Sequence, residues 1–220
     1  MSRVLVIGDL HAPAVNEKYF DFVRSIRRKF RTDQVVFIGD IIDHHVISFH
    51  RANPESPDAI REYESSFEIV KKWYKAYPNA TVTVGNHDCR VHRLAADAGI
   101  PSMYLKEYNE LYKTKNWEWK HNVEIDGVYY YHGTGSSSAY PAFNAAKARN
   151  QSVVMGHFHT KAAINWMHGP NNHRIFGMSV GCGVDNKHLS MLYAENYLIK
   201  PIIACGVVID SHPFLEVMDT

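Results

Sequence analysis

The sequence predicts an α/β fold in which a parallel sheet is covered by helices. Three short and nearly continuous apolar runs, at 3–7, 34–38 and 80–84, are typical of strands that are buried on both faces. Helical patterns lie between them, one at about 16–30 and one from Ser56 onwards. The resulting order, β-α-β-α-β, is the one that builds parallel sheets.

Both predicted helices have a one-sided pattern. In the first helix, apolar residues such as Tyr19 and Ile26 recur at helical spacing, so one face packs against the sheet. The second helix is expected to open with Ser56 as its cap and Pro57 in its first turn, and to stop at Pro78.

The rest of the chain continues the alternation of helices and strands. A helical region from Cys89 to Lys115 has a break at 99–101. Strand-like runs follow at 127–131, 152–155, 174–180 and 202–209, with a short alanine-rich helix at about 138–149. Because no repeat, low-complexity tract or linker separates these elements, we predict a single domain over residues 1–220.

The composition favours a soluble protein of a reducing compartment. The formal net charge of +1 gives no general electrostatic affinity for nucleic acid, although a local basic patch stays open as an alternative. Cys89, Cys182 and Cys205 are odd in number and widely spaced, which indicates neither a disulfide framework nor a thiolate zinc site. Asp9 interrupts the apolar N-terminus and no run has membrane-spanning length, so we expect a cytoplasmic protein with no membrane partner.

Polar side chains follow five of the apolar runs. The runs end in Gly-Asp-Leu-His at 8–11, Gly-Asp-Ile-Ile-Asp at 39–43, Gly-Asn-His-Asp at 85–88, His-Gly at 132–133 and Gly-His-Phe-His at 156–159. In open α/β sheets, functional sites lie beyond the carboxyl ends of the strands, where the loops converge. We therefore expect these five segments to face one point.

The residue types at these strand ends favour a metal cluster. Asp, Asn and His offer oxygen and imidazole nitrogen, which suit manganese, iron or zinc, and no thiolate is present at these ends. The i, i+2 spacing allows Asp9 with His11, and His157 with His159, to point to the same side. One Gly-Asp alone is an ordinary polar turn. Five successive ends with ligand-type residues make that explanation a poor one.

The five motifs together resemble the calcineurin-like metallophosphoesterase family, whose GDxH, GDxxD, GNH[DE], lone-histidine and GHxH blocks appear here in the same order. The resemblance implies a four-layer α/β/β/α sandwich with two sheets packed face to face. It also implies two divalent metal ions, with manganese favoured and iron, zinc or nickel as alternatives. The implied ligands are Asp9, His11, Asp40 and His159 for one ion, and Asp40, Asn86, His132 and His157 for the other.

The same resemblance implies hydrolysis of a phosphate monoester or diester by a hydroxide that bridges both metal ions, with Asp40 as the shared ligand. His87 is the candidate that protonates the leaving oxygen or stabilises its charge. Asp88 matches the family's carboxylate that orients this imidazole. For His87, a merely packed histidine beside the site is the alternative, and Asp43 is expected to act in a turn or beside the ligands rather than as a ligand.

Three further residues are candidates for substrate contact. His44 lies in the loop after the second motif and Arg90 follows the third, and a solvent-facing position is the alternative for both, as it is for Arg93. Ser136 precedes a predicted helix whose N-terminal amides favour an anion, although serines there are also ordinary caps.

Departures from the family pattern narrow the substrate. Protein serine/threonine phosphatases continue the second motif with Arg-Gly, whereas here His44 follows Asp43, so that class is disfavoured. Nucleases of the superfamily usually carry extra DNA-binding regions, for which 220 residues leave little room. A small nucleotide-type ester is therefore the favoured substrate, with a DNA or RNA nuclease as the alternative. A non-catalytic interaction scaffold ranks third, because His87 and all seven ligand positions are retained.

Overall fold

The computed structural model describes residues 2–49, 55–56, 58–170, 173–194 and 198–219. Over these residues the chain forms two sheets with helices on their outer faces.

The first sheet has six strands in the order β11-β10-β1-β2-β3-β4. Its strands are β1 Arg3–Ile7, β2 Gln34–Phe37, β3 Ala80–Thr83, β4 Trp117–Lys120, β10 Ala204–Ile209 and β11 His212–Val217. The four strands β1 to β4 are mutually parallel, whereas β10 runs antiparallel to both β1 and β11. The parallel part of this sheet sends the ends of β1, β2 and β3 to one edge.

The second sheet has five strands in the order β5-β6-β7-β9-β8. Its strands are β5 Asn122–Ile125, β6 Val128–Tyr131, β7 Ser152–Met155, β8 Ala162–His168 and β9 Arg174–Val180. The central strands β6, β7 and β9 are parallel, and the edge strands β5 and β8 are antiparallel to their neighbours.

The described helices are α1 Tyr19–Phe30, α2 Ala59–Ala76, α3 Arg90–Asp97, α4 Tyr108–Tyr112 and α5 Pro141–Arg149. Short 3-10 helices lie at His45–Ile47, Ser102–Tyr104 and Leu189–Ala194. Among the described residues, no helix combines the length and the apolar character that crossing a membrane requires.

Alternation along the strands builds the four layers. Val4 and Val6 of β1 are buried against the second sheet in a cluster that includes Val154 and Met178. Leu5 and Ile7, on the opposite face of β1, belong to a separate cluster with residues of α1 and α2 such as Ile26 and Trp73.

On the far side of the second sheet, Ala142 and Ala146 of α5 pack on Val153. The order of layers is therefore helix, sheet, sheet, helix, which confirms the α/β/β/α architecture that the family resemblance implied.

The start of α2 differs from the sequence-based expectation. Its cap is Asp58, whose carboxylate accepts hydrogen bonds from the backbone amides of Ile60 and Arg61, each at 3.0 Å. The prediction of Ser56 as the cap is therefore wrong, because the cap lies two residues later, at Asp58, and the helix begins at Ala59. Pro57 lies outside the described residues.

Candidate metal centre

The carboxyl ends of β1, β2, β3, β6 and β7 converge, so both sheets contribute to one site. His132, which follows β6, places Nε2 3.2 Å from Oδ2 of Asp40, which lies beyond β2. His159, beyond β7, places Nε2 3.2 Å from Oδ2 of Asp9, beyond β1. The loops of the two sheets therefore meet through direct contacts between ligand-type side chains.

Asp9, His11 and His159 form what we call the first ligand group. One nitrogen or oxygen atom from each lies within 4.8 Å of those of the other two. The Asp9 side chain is fully buried, and its Oδ1 makes no hydrogen bond to any described residue. An unpaired buried carboxylate oxygen is costly, so this atom needs a partner that the polypeptide does not supply.

Asp40, His132 and His157 form the second ligand group, with donor atoms within the same 4.8 Å limit. Asn86 lies beside it, with Oδ1 3.0 Å from Nε2 of His132. Oδ2 of Asp40 also lies 3.4 Å from Nε2 of His11. Asp40 therefore stands between the two groups, and the structure brings all seven expected ligand residues together.

Hydrogen bonds on the far side of two imidazoles fix which nitrogen faces the site. Nδ1 of His11 lies 2.9 Å from Oδ1 of Asp43, and Nδ1 of His132 lies 2.8 Å from the backbone oxygen of Ile38. Each Nδ1 therefore donates away from the site, so Nε2 is the nitrogen that offers a lone pair to a cation once the imidazole is neutral.

The donor set fits divalent metal ions. Carboxylate and amide oxygens combined with imidazole nitrogens are the ligands of manganese, iron and zinc sites, and Nε2 of His11 is a second buried atom without a hydrogen bond among the described residues. A third triad of donor atoms, His11, Asp40 and His87, also meets the 4.8 Å criterion. The site can therefore hold metal, and His87 lies at its border.

Backbone conformation is unusual at the positions that carry ligands. His11, Asp40 and His157 have φ values of 50°, 48° and 66°, in the left-handed region that side chains other than glycine rarely adopt. Gly85 and Gly156 are needed for close approach, because a methyl group there would overlap Oδ1 of Asp40 and of Asp9, respectively. The glycines before the motifs thus make room for the carboxylates.

The buried carboxylates raise the proton affinity of two ligand histidines in the metal-free chain. Burial opposes protonation of His11, but the neighbouring carboxylates of Asp40 and Asp43 outweigh it and raise its pKa to about 10. Burial likewise opposes protonation of His132, but the charges of Asp40 and Asp9 raise its pKa to about 9. Nε2 of each of these two imidazoles would have to release a proton before binding a cation.

Asp43 is the carboxylate that orients His87. Nδ1 of His87 lies 2.7 Å from the backbone oxygen of Asp43 and 2.9 Å from its Oδ1, the same oxygen that contacts His11. Burial opposes ionisation of Asp43, but both imidazoles hold its pKa far below the ordinary value. The expectation that Asp43 stands beside the ligands is consistent with these contacts.

Asp88 has a different role from the expected one. Its Oδ2 accepts hydrogen bonds from the backbone amides of Asp40 and Gly85, at 2.8 and 2.9 Å, and its Oδ1 accepts one from Ile41 at 2.9 Å. The prediction that Asp88 orients His87 is therefore wrong. Consecutive side chains point in different directions, and the Asp88 carboxylate braces the two ligand loops instead.

Arg90 is buried beside His87 rather than facing solvent. Its Nη1 donates to the backbone oxygens of Asp43 and His44, at 2.6 and 3.0 Å, and its Nη2 lies 3.0 Å from Nε2 of His87. Because an arginine can only donate, Nε2 of His87 is the acceptor and carries no proton in this arrangement. Burial, the charge of His11 and the charge of Arg90 all lower the pKa of His87.

The other two substrate candidates also have internal partners. The ring nitrogens of His44 lie 2.9 Å from the backbone oxygen of His87 and 3.2 Å from the hydroxyl of Tyr112. Both ring nitrogens of His44 therefore have partners within the chain. The hydroxyl of Ser136 lies 2.9 Å from that of Tyr131, a residue that lines a groove beside the site.

The fold and this site define a class: α/β/β/α proteins with a histidine and carboxylate cluster at the meeting edge of two sheets. The family profile described as calcineurin-like phosphoesterase matches residues 2–184. The chain therefore belongs to the calcineurin-like phosphoesterase family.

The chain is also similar to several solved structures. A candidate diadenosine tetraphosphatase has a TM-score of 0.50 and 14% identity, covering 100% of this chain and 95% of its own. The phosphoesterase YfcE from E. coli has a TM-score of 0.48 and 15% identity, and the match covers 94% of this chain and 88% of YfcE. Vacuolar protein sorting 29 from Cryptosporidium parvum has a TM-score of 0.47 and 14% identity, and the match covers 100% of this chain and 97% of that protein. A search of curated proteins gave no significant match.

Proposed function

We propose that this chain is a dinuclear-metal-dependent hydrolase of phosphate monoesters or diesters, with a small nucleotide-type ester as the favoured substrate. The observation that carries the proposal is the pair of ligand groups that meet at Asp40 and contain the unpaired buried oxygen of Asp9. Unpaired ligand atoms of this kind are a structural cost that a bound cation removes.

In this proposal the first ligand group with Asp40 holds one cation, and the second ligand group with Asn86 holds the other. When bound, two cations supply an acidified water as nucleophile and neutralise charge on the phosphate oxygens. Oδ2 of Asp40 lies 3.4 Å from Nε2 of His11 and 3.2 Å from Nε2 of His132, whereas Oδ1 accepts a hydrogen bond from the backbone amide of His87. Asp40 is therefore the proposed shared ligand. Manganese is the proposed occupant, and iron, zinc and nickel share the same ligand preferences.

His87 is proposed to serve the leaving oxygen. Its ring lines a cavity of about 340 Å³ together with Asp40, Asn86 and His157, so it faces the space that a substrate would occupy. Asp43 fixes its Nδ1, which leaves Nε2 as the nitrogen that can act. Because Nε2 accepts a hydrogen bond from Arg90, it serves the leaving oxygen only after it has separated from the guanidinium and gained a proton.

The test begins with protein stripped by a chelator and reloaded with manganese. We expect metal-restored hydrolysis of bis(p-nitrophenyl) phosphate or p-nitrophenyl phosphate. Asp40→Asn should abolish it, while Asp97→Asn, at an exposed position of α3, should retain it. Hydrolysis of neither ester by reloaded wild-type protein would sink the proposal and favour a non-catalytic scaffold.

A DNA or RNA nuclease remains the alternative for this site. Adding single-stranded and duplex DNA to the same assay separates the two activities, because a nuclease cleaves the polymer at rates comparable with the small ester. Salt-sensitive retention of DNA would favour the nuclease.

We also propose a cytoplasmic location and a single domain over residues 1–220, as expected from the sequence. The three cysteines are free thiols, as is typical of a reducing compartment.

A further inference from the structure

A groove of about 390 Å³ lies beside the candidate metal centre. Asn86 and His132 both line it, so it is continuous with the second ligand group. The other residues that matter here are Arg93, His121, Asn122, Tyr129, Tyr131 and Thr134. We call this feature the Tyr129 groove.

The aromatic side of the Tyr129 groove comes from β6. Val128 and Tyr130 are buried between the two sheets, so Tyr129 and Tyr131 point to the outer face by strand alternation. On that face α5 lies over β7 and β9, and the two tyrosines remain only partly buried at its side. Asn122 pairs with Tyr131 across β5 and β6 and therefore shares this face.

Both tyrosines are held in place. The guanidinium carbon of Arg149 lies 3.5 Å from the centroid of the Tyr129 ring, and the hydroxyl of Tyr131 lies 2.9 Å from that of Ser136. The centroids of the two rings are 5.5 Å apart. Because the two rings are already fixed, binding of a ligand against them costs little further side-chain entropy.

The charge of the groove favours an anion. Arg93 is cationic and stacks at 4.2 Å over the ring of Phe49, and His121 is exposed nearby. Among the described residues that line the groove, none is acidic. A groove with one sign of charge and aromatic walls raises the local concentration of aromatic anions.

We infer that the Tyr129 groove binds the nucleoside part of a nucleotide ester, with the base against Tyr129 and Tyr131 and the phosphate at the metal centre. This inference rests on the proposed function and specifies its substrate class. Every nucleobase has a flat π-face that stacks on aromatic side chains. The volume is near the lower end of small-molecule sites, roughly 300–1,000 Å³, which suits one nucleotide unit.

The second cavity at the metal centre fits the same substrate class. It contains His87 and Phe158, and Asn86 lines both it and the Tyr129 groove. A phosphodiester carries two organic groups on one phosphorus. Two cavities that share a proposed metal ligand can each receive one of them.

Binding of two matched phosphonates tests the inference. In the analogues of adenosine 5′-monophosphate and ribose 5-phosphate, a CH₂ group replaces the ester oxygen, so neither is hydrolysed and only one has a base. Calorimetry with manganese-loaded wild-type protein should give about tenfold tighter binding of the adenosine analogue. Tyr129→Ala should reduce this ratio to below about threefold, and Tyr129→Phe should restore it. Tyr140→Ala, at an exposed tyrosine outside the groove, should keep the wild-type ratio.

Equal binding of both analogues by wild-type protein would overturn the inference, as would an unchanged ratio in Tyr129→Ala. If Tyr129→Ala does not fold, Tyr129→Leu replaces it, since leucine fills space without offering a flat ring.

Hydrolysis of bis(p-nitrophenyl) phosphate or p-nitrophenyl phosphate by the same wild-type protein keeps the two proposals separate. Hydrolysis without base-dependent binding refutes the groove alone. Base-dependent binding without hydrolysis refutes the proposed function alone.

Discussion

The carboxylate of Asp88 accepts a hydrogen bond from the backbone amide of Asp40 at 2.8 Å, which ties the loop after β3 to the loop after β2. Asp40 stands between the two ligand groups, so this contact stabilises the backbone that carries the central ligand. Each oxygen of Asp88 receives backbone amides, and a side chain with only one acceptor oxygen cannot replace both.

Asp88→Asn should therefore lower the free energy of unfolding more than it lowers the catalytic rate. At least one buried amide loses its acceptor, which costs about 1–3 kcal/mol. For a chain of this size each kcal/mol lowers Tm by roughly 2–4 °C. Calorimetry should show the loss for Asp88→Asn and not for Asp97→Asn, which changes an exposed carboxylate. A large fall in kcat with unchanged Tm would contradict this supporting role of Asp88.

Asp43→Asn should affect metal binding and catalysis together. One carboxylate oxygen contacts both His11, a proposed ligand, and His87, which is not. Loss of such an orienting carboxylate typically costs 10–100-fold in metal affinity or activity. Manganese titration and kcat for bis(p-nitrophenyl) phosphate would measure both effects.

His87→Ala is the matched variant for this experiment. It should lose most turnover and keep both metal ions, because it removes only one of the two imidazoles that Asp43 contacts. Weakened metal binding in His87→Ala would make His87 a ligand, as the third triad of donor atoms allows.

Metal affinity should rise with pH. The pKa values of His11 and His132, raised to about 10 and about 9, leave both imidazoles protonated in the metal-free protein at neutral pH. A cation must displace those protons, so binding releases them and strengthens as pH rises, by up to about tenfold per pH unit for each proton. Calorimetry in buffers of different ionisation enthalpy counts the protons.

His87→Ala again provides the control for this titration. The pKa of His87 is lowered, mainly by burial, so this imidazole is neutral and contributes no proton at neutral pH. The variant should release the same number of protons as wild type. Metal binding without proton release would contradict the assignment of His11 and His132 as ligands.

Arg90→Met should shift the pH dependence of turnover. The Arg90 charge is one of the causes that lower the pKa of His87, so its removal raises that pKa. If His87 acts as an acid, activity is lost as pH rises through this pKa. The basic limb of the kcat profile should therefore move to higher pH in Arg90→Met. An unmoved limb would mean that Arg90 only supports the loop through the backbone oxygens of Asp43 and His44.

Much of the site was predictable because its ligands directly follow apolar strands. Strand ends such as 8–11 and 156–159 are local signals, and parallel pairing brings them together. The contact between Asp43 and His87 was not predictable in this way. It joins residues 44 positions apart, whereas the sequence suggested the adjacent Asp88.

The structure also differs from the sequence-based prediction where tertiary packing, and not the local sequence pattern, determines a feature. The sequence does not predict the strands β4, β5, β8 and β11, because partly exposed strands lack a continuous apolar run. The outward direction of Tyr129 and Tyr131 follows from alternation, but their partial exposure depends on α5 covering other strands.

The left-handed backbone at His11, Asp40 and His157 makes the residues that form the site a source of instability in the fold. Each such conformation costs on the order of 1–3 kcal/mol for a residue with a side chain, and glycine would adopt it more cheaply. A library selected only for heat resistance should therefore drift toward glycine at these three positions. Selection for hydrolysis should keep histidine and aspartate and retain a less stable protein.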